Sequence, residues 1–251
     1  MLPIAQKLSV VGVLLMSTSS TFSAPDRCMA SSGPTLMRVV ELYTFEGCRS
    51  CPPADKWDSS LKDKQVVVQA FHVGYWDYIG WVDRFAAPAY TQRQREIASR
   101  DQQRTVNTPQ AVLNGKDWIG WSAEGNLPAF SQPAKVANTI QQLGVDQFEA
   151  SVTPVALTQG AFRWSAYWTL TERGHNFKVQ ASENAGEFLK RDCVVRQYTP
   201  AGDNDRREGT AQKLSFRSIA ATPGHPRQIN VVVFSHQTGS TLQAISLQCS
   251  A

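Results

Sequence analysis

The sequence has no long apolar run, no concentration of basic charge and no internal repeat. Its most apolar segment, residues 8–16, is nine residues long, whereas a membrane-spanning helix needs roughly 20. Lys and Arg are scattered along a chain of net charge +4, so no basic run resembles a nucleic-acid site. We therefore expect no nucleic-acid partner and no membrane span in the mature chain.

The composition is that of a folded protein. With 42% hydrophobic and 18% charged residues, the chain can form real cores, and its 251 residues suffice for one large or two ordinary domains. The densest basic group is interleaved with Glu96 and Asp101, which favours a solvated helix face. The members of this group are Arg93, Arg95, Arg100 and Arg104.

The first 30 residues have the pattern of a signal peptide. Lys7 precedes the apolar run at residues 8–16, and small residues follow it. Cleavage is predicted near residue 23 or near residue 30, and an uncleaved membrane-tethering helix is the alternative. We therefore predict an exported protein, either periplasmic or secreted.

Because stable disulfides form outside the cytosol, the five cysteines of an exported protein can be considered for disulfide pairing. Cleavage near residue 30 would remove Cys28 and leave an even four. The simplest pairing is then Cys48 with Cys51 and Cys193 with Cys249. The second bridge would act as a structural staple that stabilises the fold by roughly 4 kcal/mol in the chain-entropy model. Two free buried thiols are the alternative, and earlier cleavage would leave Cys28 unpaired.

The N-terminal half begins with a predicted strand, helix and strand. Residues 37–45 alternate in a β-rich pattern, residues 51–63 have helical spacing, and residues 66–73 form an apolar run typical of a parallel strand. An aromatic segment opens a predicted insertion over residues 74–104. A second helix is predicted within it, over residues 88–100.

Further along, a strand over residues 106–113 runs into Asn114-Gly115, a strong hairpin signal. Residues 136–143 have apolar side chains at helical spacing before a glycine, which predicts a helix. Short strand-like runs follow residue 146. We therefore predict an α/β domain over residues 33–145 and a smaller all-β, sandwich-like domain over residues 146–251.

The most informative motif is Cys48-Arg49-Ser50-Cys51. Such a pair can cycle between dithiol and disulfide, hold half of a metal site, or remain a static bridge. The predicted strand-to-helix turn and the charge of Arg49 favour a thiolate at Cys48. Cys48 is therefore the candidate attacking sulfur and Cys51 the resolving one.

The order of elements, the cysteine pair at the first strand–helix junction and a proline at the third strand together resemble the thioredoxin fold. That resemblance implies an α/β thioredoxin-like N-terminal domain in which Thr108-Pro109 is cis and lies against the cysteine pair. It also places Thr108, Pro109 and Arg49 among the substrate-binding residues. An ordinary trans proline at a strand edge is the alternative.

Four segments carry a second resemblance: residues 40–55, 71–81, 108–115 and 183–186. Together they resemble a family of secreted bacterial proteins, the domain of unknown function 1223 family. Gly74 departs from that family's pattern, in which we expect an aspartate at this position. The resemblance assigns no substrate.

His72 ends a predicted buried strand and is a candidate for proton transfer to or from the thiols, although a satisfied core histidine is as common. We predict an exported thiol–disulfide oxidoreductase with no cofactor and no metal. Its partners would be protein or small-thiol disulfides and a redox partner protein. One alternative is a copper- or metal-handling protein that uses Cys48, Cys51 and His72, although the ligand count is short. The other is a non-catalytic binding module with a stable local bridge.

Overall fold

β-Strands predominate in the computed structural model, which describes residues 28–124, 126–129, 131–155, 163–204 and 210–249. Strands account for 44% of the residues and helices for 14%, so the molecule is mostly β. The predicted signal peptide lies almost entirely outside the described residues. In chain order the elements are β1 Met29–Ser31, β2 Arg38–Thr44, α1 Cys51–Ser60, β3 Val66–His72, a 3-10 helix Asp77–Ile79, α2 Pro88–Arg100, β4 Gln110–Leu113, β5 Lys116–Asp117, α3 Trp121–Glu124, β6 Val136–Gly144, β7 Gln147–Pro154, β8 Trp164–Glu172, β9 His175–Lys178, β10 Phe188–Arg191, β11 Val194–Asn204, β12 Gln212–Arg217, β13 Arg227–Ser235 and β14 Thr241–Leu247.

An eight-stranded sheet organises the site. Its strand order is β14-β13-β8-β11-β3-β2-β4-β5, in which β2 and β3 are parallel and are joined by α1. The predicted strand–helix–strand unit is therefore present. Both strands are buried over almost their whole length, which explains their near-continuous apolar sequences.

The predicted fold class is wrong. In place of an α/β thioredoxin-like domain followed by a small all-β domain, strands from both halves of the chain form one sheet. Val194 of β11 pairs in parallel with Ala70 of β3, and the Ala70 N–H donates to the carbonyl of Cys193 at 2.8 Å. An uncovered β3 would present unpaired backbone groups at an edge, and β11 satisfies them. The sequence-based domain limits stay a prediction.

The helix predicted over residues 136–143 is also wrong, because this segment is β6. It pairs antiparallel with β7 on one side and with β1 on the other. Val136, Asn138 and Ile140 are buried, while the residues between them are exposed. Residues four apart share a face in a strand as well as in a helix, so the spacing of Val136 and Ile140 fits both structures.

A second sheet of four strands, in the order β1-β6-β7-β12, packs against β8, β13 and β14. The interface is the main apolar core, and its largest side chains are Trp164, Trp168, Phe148 and Phe216. The rings of Trp168 and Phe216 stack with their centroids 5.0 Å apart. Among the described residues, no helix is long and apolar enough to cross a membrane.

The predicted hairpin at Asn114-Gly115 is confirmed. Leu113 pairs with Lys116, and the two turn residues have φ values of 50° and 82°, the left-handed conformation that this turn requires. The Asn114 side chain accepts a hydrogen bond from the Val39 N–H at 2.8 Å. The hairpin thereby fixes β4 beside β2, next to the cysteine pair.

Candidate functional site

The cysteine pair lies in the turn between β2 and α1, where Cys48 and Cys51 form a disulfide. We call residues 47–51 the cysteine turn. The Cys51 N–H donates to the Cys48 carbonyl at 3.2 Å, which closes the turn just as the helix begins. Cys48 is 7% exposed and Cys51 is fully buried. Of the two cysteines, Cys48 is therefore the less buried.

The predicted proline segment lies against this sulfur. The Thr108–Pro109 peptide bond is cis, as the resemblance implied. The Thr108 carbonyl oxygen is 3.8 Å from the Cys48 Sγ atom. The Gln94 side chain holds the preceding turn by donating to the Asn107 carbonyl at 2.9 Å. The structure thus brings Cys48 and Thr108 together, and their roles toward a substrate stay predictions.

A loop from the C-terminal half of the chain, residues 182–186, covers the cysteine turn. The buried Asn184 amide donates to the carbonyls of Glu46 and Cys48, each at 2.8 Å. Asn184 therefore gives a donor to the Glu46 carbonyl and a second donor, beside the Cys51 N–H, to the Cys48 carbonyl. These bonds tie the turn to a segment more than 130 residues away in the sequence.

Two further hydrogen bonds complete this contact. Ser182 Oγ donates to the Gly47 carbonyl at 3.1 Å, and Glu183 Oε2 accepts from the Arg49 N–H at 2.9 Å. A Cβ at Gly47 would meet Ser182 Oγ at 2.5 Å and the Phe45 ring at 2.6 Å. Only glycine leaves room for the loop at this position.

His72 is fully buried at the end of β3 and is paired with a carboxylate. Its Nδ1 atom is 2.8 Å from Asp83 Oδ2, and the same carboxylate accepts the Glu46 N–H at 2.8 Å and the Phe85 N–H at 2.9 Å. His72 Nε2 has no hydrogen-bond partner among the described residues. His72, the predicted proton-transfer residue, therefore bonds to Asp83, and the structure shows no hydrogen bond between His72 and Cys48 or Cys51.

The predicted metal ligands do not come together. In the described part of the chain, Glu46, His72 and Asp83 form the group of candidate ligand atoms within 4.8 Å of one another, and neither cysteine belongs to it. Trp81 Nε1 donates to Glu46 at 2.6 Å, and the cationic Arg84 lies 3.2 Å from the same carboxylate. Burial, followed by repulsion from Asp83, raises the pKa of Glu46. Hydrogen bonds and the Arg84 charge thus hold the Glu46 and Asp83 carboxylates, while His72 Nε2 has no partner among the described residues.

A buried ion pair lies one helical turn beyond Cys51. Asp55 of α1 pairs with Arg191 of β10 and accepts a hydrogen bond from Thr44 Oγ1 at 2.8 Å. Burial lowers the pKa of Arg191 to about 10. The start of α1 is therefore fixed to β10 as well as to β2.

The basic face predicted on α2 is only partly solvated. Arg93 is buried and makes two bonds to Glu41, at 2.7 and 2.6 Å, while Tyr43 and Tyr167 donate to the same carboxylate. Burial acts to raise the pKa of Glu41, but the charge and hydrogen bonds of Arg93 outweigh it and lower this pKa. Arg93 thus fixes α2 to the centre of the sheet.

The predicted Cys193–Cys249 disulfide is wrong. Cys249 bonds to Cys28, and Cys193 is a free buried thiol. Burial, reinforced by the Asp58 charge, raises the pKa of the Cys193 thiol. Cys193 precedes β11 and Cys249 follows β14, three strands away, or about 14 Å. A disulfide needs Cα atoms within about 7 Å.

The groups missed by the sequence reasoning are Glu46 and Asp83 beneath the cysteine turn and Ser182, Glu183 and Asn184 above it. One signal was available, since residues 183–186 form one of the segments that carry the family resemblance. An exposed segment of that kind has no core-packing reason to resemble a family.

Comparison with known proteins gives a family and a fold. The family model described as "Protein of unknown function (DUF1223)" matches residues 39–235. Protein AGR_C_4864 from Agrobacterium tumefaciens is 22% identical, with a TM-score of 0.61 over 86% of this chain and 96% of that one. HBP35 of Porphyromonas gingivalis is 14% identical, with a TM-score of 0.57 over 85% of this chain and 75% of that one. No curated protein matches the chain.

Proposed function

Since the chain belongs to DUF1223, a family of proteins of unknown function, we propose its activity from the site alone: thiol–disulfide exchange through Cys48 and Cys51. The observation that carries the proposal is the asymmetry of the pair. Cys48 keeps 7% of its surface exposed and lies beside the Thr108 carbonyl, whereas Cys51 is fully buried. This is the arrangement that an attacking and a resolving cysteine need.

The proposed reaction balances without a cofactor. The Cys48 thiolate attacks one sulfur of a substrate disulfide, whose S–S bond breaks and releases the other sulfur as a thiolate. The Cys51 thiolate then attacks Cys48 Sγ and displaces the second substrate thiolate. Two electrons pass to the substrate when the steps run in this order and to the cysteine pair when they run in reverse, and a redox partner protein restores the pair in either case.

Protein disulfides and small disulfides are the proposed substrates. The exposed Arg49 lies beside Cys48, and the Thr108 backbone faces the same sulfur. Both are placed to contact an extended peptide or a small anionic thiol near the reacting atoms. This geometry supports the roles proposed for Thr108, Pro109 and Arg49.

We also propose that the protein is exported, with cleavage near residue 23. The Cys28–Cys249 disulfide supports an oxidising compartment. Cleavage near residue 30 would remove Cys28 and the first two residues of β1, whereas cleavage near residue 23 retains both. The mass of the mature protein from its native host distinguishes the two sites.

A trapping experiment tests the exchange activity. A Cys51→Ala variant expressed in its native compartment should accumulate mixed disulfides through Cys48, because the resolving step is removed. Cys193→Ala is the matched control, since it removes a buried thiol outside the site and should trap nothing. Absence of any Cys48-linked adduct in the Cys51→Ala variant would exclude the proposed activity.

A further inference from the structure

The cysteine turn has few backbone N–H groups left to stabilise a thiolate. The first turn of α1 contains Pro52 and Pro53, which have no N–H, and the Cys51 N–H donates to the Cys48 carbonyl. Ser50 stands at the N-cap without a side-chain capping bond. Backbone donors of this kind normally lower the pKa of a cysteine at a helix start.

Glu183 occupies one of the remaining donors. Its carboxylate accepts the Arg49 N–H at 2.9 Å, and Arg49 directly follows Cys48. The bond therefore occupies the N–H of the residue next to Cys48 and brings a carboxylate to the backbone of the cysteine turn. The Ser50 hydroxyl, 3.3 Å from Cys48 Sγ, remains as a neutral hydrogen-bond partner.

The other charged groups around the cysteine turn do not offset the negative charge of Glu183. Arg49 and Glu183 are both exposed to solvent, but the Glu183 carboxylate is fixed against the turn by its bond to the Arg49 N–H. The carboxylate of Glu46 is buried two residues before Cys48. Asp55, one helical turn beyond Cys51, is neutralised by its ion pair with Arg191.

We propose that Glu183 is a positioning residue that destabilises the Cys48 thiolate and thereby makes the Cys48–Cys51 pair an electron donor. The inference rests on the exchange activity proposed above and adds its direction. A dithiol whose thiolate is poorly stabilised favours the disulfide, so the pair has a low reduction potential. It gives two electrons to a substrate disulfide, and the substrate leaves as a dithiol after taking up two protons.

The redox equilibrium of the pair with glutathione tests the inference. Glu183→Gln keeps an oxygen acceptor for the Arg49 N–H and removes the charge. We expect it to shift the equilibrium toward the dithiol by about tenfold, which corresponds to about 30 mV for a two-electron couple. Glu187→Gln is the matched control, because Glu187 is exposed on the same segment and has no recorded bond to the cysteine turn. It should leave the equilibrium unchanged.

The pH dependence of Cys48 alkylation in the reduced protein provides a readout that a purely structural role would not move. Glu183→Gln should lower the pKa of the Cys48 thiol, and Glu187→Gln should not. An unchanged equilibrium and an unchanged alkylation profile in a folded Glu183→Gln variant would overturn the inference. Trapping by Cys51→Ala would still stand in that case, so failure of the inference is distinguishable from failure of the exchange activity.

Discussion

The two disulfides of this protein differ in sequence separation and in surroundings. Cys48 and Cys51 are three residues apart and buried, in a turn held by polar contacts. Cys28 and Cys249 are 221 residues apart and pack against the main apolar core between the two sheets. A bridge that closes a short loop constrains the unfolded chain little, whereas one that joins distant segments constrains it strongly. The comparison therefore separates a candidate reactive pair from a structural bridge.

Removing each bridge in turn tests this separation and has the largest expected effect. In the chain-entropy model, Cys28→Ser with Cys249→Ser lowers the free energy of unfolding by about 5 kcal/mol, and Cys48→Ser with Cys51→Ser lowers it by about 2 kcal/mol. Urea titration without reductant measures both. Equal losses would show that the two bridges do not differ in the way proposed.

Buried polar contacts hold the strands and helices around the cysteine pair, and the Arg93–Glu41 ion pair is one of them. Arg93→Met keeps most of the apolar stem but leaves Glu41 buried without its partner, and we expect a loss of about 3–5 kcal/mol. Exposed Arg95 on the same helix is the control, and Arg95→Met should change stability by less than about 0.5 kcal/mol.

The same pair has a pH signature. The pKa of Glu41 is lowered in the folded protein, so its contribution is complete above the ordinary value of 4.5 and is lost as the pH falls through the lowered value. The stability difference between wild type and Arg93→Met should therefore shrink on acidification. A constant difference across this pH range would contradict the assigned charge interaction.

The smallest of these effects concerns the loop over the cysteine turn. Asn184→Ala removes the amide donor from the carbonyls of Glu46 and Cys48, the second of which keeps the Cys51 N–H, and we expect the free energy of unfolding to fall by about 1–3 kcal/mol together with faster reduction of the disulfide. Asn176→Ala is the control, because that amide makes one exposed local bond to Gly174. Reduction at the wild-type rate in a folded Asn184→Ala variant would show that the loop does not hold the turn.

Local elements could be predicted from the sequence because their signals are local. The individual strands and helix of the strand–helix–strand unit, α2 and the Asn114-Gly115 hairpin have sequence patterns that extend over only a few residues. The segment over residues 136–143 could not be assigned in this way, since the spacing of Val136 and Ile140 fits both a helix and a strand. Its pairing with β7 and β1 decided the outcome.

The residues of the candidate site also differ in whether the sequence could predict them. The position of Cys48 and Cys51 in a strand-to-helix turn could be predicted from local spacing. The position of Thr108-Pro109 against them was implied only by the resemblance, because no local pattern distinguishes it from an ordinary proline at a strand edge. Asn184 and Glu183 could not be predicted, since nothing near them in the sequence indicates which turn they cover. The partner of Cys249 depended on strand order, which places Cys193 too far away and Cys28 within reach.

The sequence by itself determined that two cysteines three residues apart lie where a strand becomes a helix, because spacing and local propensity suffice for that. Only the tertiary structure decided what surrounds them: β11 beside β3, Asn184 and Glu183 over the turn, and Asp83 against His72. Most of these contacts join residues far apart in the chain. Which of them form depends on how the strands are ordered and how the sheets pack, and no local pattern contains that information.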